Sequence, residues 1–158
     1  VLTSGCMLKP DHFPGCQAKG LVPQLQGATN LRVVPNTAMV YGVAIPTLTG
    51  IRAVLDWLAA RAGPGGVERV LWVSLREEPV VYICGLPYVL RNMDRPFQNL
   101  EYTGIEHERV HQMEARLKAD VLAEAAAHHS SVVLHDEDDT GHLFAKCVRL
   151  QPADVLTC

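Results

Sequence analysis

The stretch from Val67 to Arg91, VERVLWVSLREEPVVYICGLPYVLR, constrains the fold of this chain more than any other. Val70-Leu71-Trp72-Val73 is a short apolar run of β-formers, the pattern of a strand buried on both faces. It stops at Arg76-Glu77-Glu78, three charges without apolar cover. Pro79 restarts a second β-rich run, Val80 to Ile83. Cys84-Gly85-Leu86-Pro87 then supplies turn residues, and Tyr88 to Leu90 reads as the return arm of a hairpin. Charges at the end of a buried strand fit two readings. Sheets of α/β proteins place ligands beyond the carboxyl ends of their strands, which would make Arg76–Glu78 a functional edge. A solvated turn would carry the same residues.

The remaining residues supply alternating elements around that stretch. Residues 1 to 30 read as irregular, because Pro10, Pro14, Gly15, Gly20, Pro23 and Gly27 interrupt them too often for a long element. Leu31–Val34 and Met39–Tyr41 follow as short strands around a Pro35-Asn36 turn. Thr47 is available as the N-cap of a helix whose Ile51, Val54, Leu55, Leu58 and Ala59 share a face. Gly63 to Gly66 end it. Asn92 to Tyr102 reads as a polar loop. Thr103-Gly104-Ile105-Glu106 matches a capping box, opening a helix with Val110, Met113, Leu117, Val121 and Leu122 along one stripe and an end near His128-His129. Val132–Leu134 is a buried-strand pattern, Leu143–Leu150 a last strand, and Gln151 to Cys158 a linker-like tail. Strands alternating with two main helices predict an α/β domain with a mixed sheet.

With 158 residues, 48% of them hydrophobic and 20% charged, the chain has the composition of one globular domain. No run approaches the roughly 18 apolar residues of a membrane span, and no signal peptide is visible. A formal net charge of −3 gives no electrostatic case for nucleic acid. The five cysteines are irregularly spaced and include no Cys-x-x-Cys, a pattern that fits reduced thiols in the cytosol.

Three clusters invite chemistry. His107-Glu108-Arg109-Val110-His111 is a His-Glu-x-x-His, which on a buried helix could hold zinc with Glu108 as base. Its neighbours Glu106, Arg109 and Gln112 are polar and no third ligand follows, so the pair reads as solvated helix-start residues and no metal is expected; a zinc hydrolase remains the alternative. His135 to Asp139 lacks the spacing and glycine of a calcium loop and reads as a solvated acidic turn. Cys84 and Arg91 have six residues between them, one too many for a Cys-x5-Arg phosphate loop, which makes Cys84 a hairpin residue. No phosphate-binding glycine fingerprint and no Gly-x-Ser-x-Gly elbow occurs. No catalytic residue and no cofactor is assigned.

The segments Lys9–Gly15 (KPDHFPG), Pro35 with Tyr41–Thr47 (YGVAIPT), Arg76–Arg91 (REEPVVYICGLPYVLR), Asn99-Leu100 to Thr103–Ile105, Glu108–Lys118 (ERVHQMEARLK) and His135–Glu137 resemble, in order and across nearly the whole chain, one repeat of the paladin family. That family is similar to the cysteine-dependent phytases and inositol polyphosphatases, whose fold is that of protein tyrosine phosphatases. The resemblance implies a general-acid aspartate loop and a Cys-x5-Arg loop, both carboxyl-terminal to the residues seen here. Residues 1–158 would then be a single partial phosphatase-like domain, truncated before that loop and inactive alone. The parent would be a cytosolic phosphatase of phosphotyrosine, phosphoinositide or inositol phosphate, or a pseudophosphatase that binds phosphorylated partners. Arg76 would lie near the phosphate pocket, as a substrate or scaffold contact or paired with Glu77 or Glu78. In the family, His107 and His111 are ordinary helix-surface positions. A sheet missing its later strands would expose an edge and apolar surface, predicting marginal stability or association.

Overall fold

The computed structural model describes residues 5–11, 24–37, 39–62, 65–66, 69–100, 102–138 and 140–158. The chain divides into two compact units, one made of Val1–Asp11 with Arg76–Cys158 and the other of His12–Leu75.

The first unit is built on a hairpin. The apolar run Val80–Ile83 forms β4 and is buried along its whole length. Cys84 and Gly85, at φ +50° and +82°, make a two-residue turn with positive φ at both positions, the geometry that matches strand twist. The chain returns as β5, Leu86–Asn92, with Val80 opposite Val89 and Ile83 opposite Leu86. Leu86 and Pro87 thus already belong to the return strand. On its other side β5 pairs with β1, Cys6–Pro10, so that Pro10 faces Tyr88. The segment Gln151 to Cys158, expected to be a linker, instead carries β8, Val155–Thr157, paired with β4. Val155 is fully buried, and one strand edge is covered as a result. The sheet order is β1-β5-β4-β8, antiparallel at every step.

Helix α2, His107–Ala127, lays Val110, Leu117, Val121 and Ala125 into the core at the expected helical spacing. Leu8, Val81, Ile83, Tyr88 and Leu134 meet the last three of these in one buried cluster. The capping box does not form: the helix begins three residues later, at Glu106 as N-cap, without a side-chain cap bond. Gly104, at φ +78°, turns the chain first, so Thr103 and Glu106 never bracket the first helical turn. α2 ends at its C-cap His128, as expected. Strands β6, Ser131–Glu137, and β7, Leu143–Arg149, form a separate antiparallel pair. His135 to Glu137, expected in an acidic turn, continue β6, and only Asp138 among the described acids lies in the loop. Ion pairs hold the other two in place: Asp136 with Lys146 at 2.5 Å and Glu137 with Lys9 at 2.5 Å.

The second unit is small. The expected strands β2, Arg32–Val33, and β3, Tyr41–Gly42, pair around the turn at Asn36. Helix α1, Leu48–Arg61, is capped by Thr47, whose hydroxyl accepts from the Gly50 amide at 2.9 Å. Gly50 is obligatory here, since a Cβ would lie 1.9 Å from the Gly27 carbonyl oxygen. Its buried cluster is Ala28, Leu31 and Val54, lined by Tyr41 and Trp57 in an edge-on pair. Val70–Val73, expected as a buried strand, forms none: Val73 is 63% exposed and Leu71 and Leu75 are each 87% exposed. A run that is apolar on both faces becomes a strand only where another strand supplies hydrogen bonds, and none of the described strands pairs with it.

Candidate functional site

The three charges that end the apolar run do not sit in a solvated turn. Glu78, two residues before β4, is 3% exposed, and Arg91, near the end of β5, is 2% exposed. The Arg91 guanidinium donates to both Glu78 carboxylate oxygens, at 2.6 Å and 3.3 Å, and to Asn99 Oδ1 at 2.9 Å. Asp11, one residue beyond β1, adds an oxygen 3.5 Å from Arg91. Arg76 closes the cluster, with one terminal nitrogen 2.5 Å from Asp11 Oδ2 and the other on Glu78 Oε1. Two cations thus face two anions. This charge balance is the condition under which buried ions are tolerated, and removal of one partner leaves the other desolvated and uncompensated.

Topology explains how these residues meet. The β1–β5 register that sets Pro10 opposite Tyr88 brings Asp11 to the sheet margin, and the β4–β5 hairpin places Glu78 beside Arg91. Arg76, the one residue assigned to substrate from the sequence, keeps 24% of its side chain exposed. The sequence reading missed Asp11, Arg91 and Asn99. The available signal was a lone arginine closing the otherwise apolar Tyr88–Leu90 run, since a buried arginine demands carboxylates.

Two carboxylates tie this segment to α2 in opposite senses. Glu77 reaches towards the helix leader, where its Oε1 accepts from the Gly104 amide at 2.8 Å. Glu114, 3% exposed on α2, reaches back and accepts from the Val80 amide at 3.2 Å. Burial pushes the Glu114 carboxyl above its ordinary range, against the Val80 hydrogen bond and the neighbouring Cys158 and His111, which pull it down.

No activated thiol appears at the cysteines whose titration is displaced. Burial and then Asp154 push Cys84 upward against Lys146, and it sits in the hairpin turn, at the opposite end of β5 from Arg91. Cys158 is pushed up to about 12 by burial and then by Glu114, against Arg76. Both are therefore thiols rather than thiolates at neutral pH, the reverse of what a cysteine nucleophile needs. His107 and His111 lie exposed on the first turns of α2 with ring centroids 5.9 Å apart. No group of three or more His, Cys, Asp or Glu side chains among the described residues is placed to hold a metal ion.

The chain matches the PTP-like phytase family model, described as inositol hexakisphosphate, over residues 73–156. That match spans more than half of the chain, which belongs to the PTP-like phytase family. No curated protein and no solved structure gives a significant match. No helix among the described residues is long and apolar enough to cross a membrane.

Proposed function

We propose that this chain is the amino-terminal part of a paladin-like repeat, a single partial domain serving a cytosolic cysteine-dependent phosphatase in signalling. Its substrate class is phosphotyrosine, phosphoinositide or inositol phosphate. The observation that carries this reading is the family match over residues 73–156, which takes in Arg76, Glu78, Arg91 and Glu114. In such an enzyme a cysteine thiolate attacks phosphorus, the ester oxygen leaves with a proton from an acid, and water then hydrolyses the thiophosphate. Residues 1–158 contain no Cys-x5-Arg, so this chemistry is assigned to residues outside them. The part played here is scaffolding: Arg91 and Asp11 hold Glu78 and Arg76, and Arg76 stands partly exposed beside the buried pair. Both terminal nitrogens of Arg76 are already engaged with carboxylates, which favours positioning over direct capture of phosphate.

A second reading is a catalytically inactive module that binds phosphorylated partners. Phosphate release separates the two. Residues 1–158, and the same chain extended along its reading frame past Cys158, are incubated with inositol hexakisphosphate, a phosphotyrosine peptide and phosphoinositide vesicles. The enzyme reading expects no release from residues 1–158, and release from an extended chain that is abolished by Cys→Ser in its Cys-x5-Arg loop. Ligand binding by the extended chain without turnover would establish the binding module. Neither binding nor turnover by the extended chain would overturn both.

A further inference from the structure

The buried stripe of α2 is apolar at Val110, Leu117, Val121 and Ala125 but carries a carboxylate at Glu114. What that carboxylate meets follows from the ladder between β4 and β8. In an antiparallel pair, every second residue exchanges amide and carbonyl bonds with the residue opposite. The Cys84 amide donates to the Asp154 carbonyl at 2.9 Å, which fixes the parity on the β8 side. Tyr82 with Leu156 is then the next exchanging pair, and Val80 with Cys158 the one after. Tyr82 does stand opposite Leu156, but the pairing stops at Val81 opposite Thr157. Nor can the Val80 amide turn to β5. The two-residue turn makes Ile83 and Leu86 an exchanging pair, so Val80 faces Val89 without bonds between them. Glu114 Oε1 accepts from the Val80 amide instead, at 3.2 Å, and the amide and thiol of Cys158 lie beside the same carboxylate.

We propose that Glu114 is a ladder stop: its carboxylate fills the acceptor place of residue 158 on β4, ends β8 at Thr157 and turns residue 158 off the sheet beside Arg76. An inward-pointing charge at a sheet edge ends strand pairing, because a further strand would have to displace it. The buried carboxylate is tolerated because it is hydrogen-bonded to a main-chain amide that β8 leaves open. Arg76 marks the side to which the chain turns, since its charge acts on both Cys158 and Tyr82. Without the stop, a strand of three residues has one more pair open to it along β4. Glu114 is therefore a positioning residue, acting on the path of the main chain after β8. This holds whether or not the parent domain turns over phosphate.

Nuclear magnetic resonance identifies the acceptor, through the scalar coupling that crosses a hydrogen bond from the donor nitrogen to the acceptor's carbon. In residues 1–158 the Val80 nitrogen should couple to the Glu114 carboxyl carbon. Glu114→Gln keeps an acceptor of the same shape and should keep that coupling, now to the side-chain amide carbon. Glu114→Leu continues the apolar stripe and removes the acceptor. In that variant the coupling should move to the main-chain carbonyl carbon of residue 158, which becomes as rigid as Leu156 in backbone relaxation. Hydrogen exchange at Val80 should then stay within about tenfold of the wild type, the span of one hydrogen bond, because the ladder has gained a pair. Exchange at Val80 rising well beyond tenfold in Glu114→Leu, with residue 158 unmoved, would overturn the proposal, since Glu114 would then be a bond and not a stop. A wild-type coupling that already runs from Val80 to the Cys158 carbonyl would overturn it without any variant.

Discussion

The two compact units bury apolar surface very differently. In the unit made of Val1–Asp11 with Arg76–Cys158, strands of two sheets and one face of α2 enclose a single cluster in which Leu8, Val81, Val121 and Val155 have no exposed surface. In His12–Leu75 the buried cluster among the described residues is Ala28, Leu31 and Val54, and the apolar run Val70–Val73 lies exposed. Hydrophobic stabilisation scales with the area removed from water, not with the apolar content of the sequence. The first unit converts its apolar residues into a core because their partners are present among the described strands. The second leaves its strongest strand former without a partner among the described strands.

This contrast can be broken from either side. The largest effect is expected from Leu134→Ala in β6, which is 1% exposed inside the larger cluster. It should cost about 3–4 kcal/mol by urea denaturation, with loss of amide protection across β4, β5 and α2 together. Arg91→Met comes next. It leaves Glu78 buried with Arg76 as its remaining cation, and should cost about 3 kcal/mol, the low end for breaking a buried pair. A double variant that also replaces Glu78 by Leu should recover most of that loss, because it removes the stranded charge. In the smaller unit, Thr47→Ala deletes the α1 cap bond and should cost about 1 kcal/mol, read as faster exchange at the Gly50 amide with β4 and β5 unaffected. His107→Ala or His111→Ala should change stability by no more than about 0.5 kcal/mol, since both side chains are exposed.

What could be read in the sequence follows the same line. The Cys84-Gly85 turn, the Thr47 cap and the α2 stripe depend on residues within a few positions of one another, and the pattern specified them. The α/β class with two main helices followed from these. The misread elements depend on distant partners. Gln151 to Cys158 looked like a tail because Val155 gains its burial from β4, far away in the chain. Val70–Val73 looked like a buried strand because composition reports what a segment would prefer, not whether a neighbour is there. The Thr103–Glu106 capping box failed on a local conflict: Gly104 adopts a turn, and its amide is taken by Glu77. The ion cluster was only half visible. Arg76 and Glu78 are two positions apart in the sequence, but Asp11 joins them through the β1–β5 register, which periodicity cannot supply.

Hydrogen–deuterium exchange on the intact chain at neutral pH tests this account most directly. Amides of β4, β5 and the buried face of α2 should exchange only by unfolding of the whole unit, sharing one high protection level. Amides of Val70 to Leu75 should exchange within the first time point. Equal and high protection across residues 70–75 would contradict the account, because it would mean that the run is paired and buried after all. The same result follows if β4 and β5 exchange as fast as that run, since the ion cluster and the core around it would then not hold a cooperative scaffold.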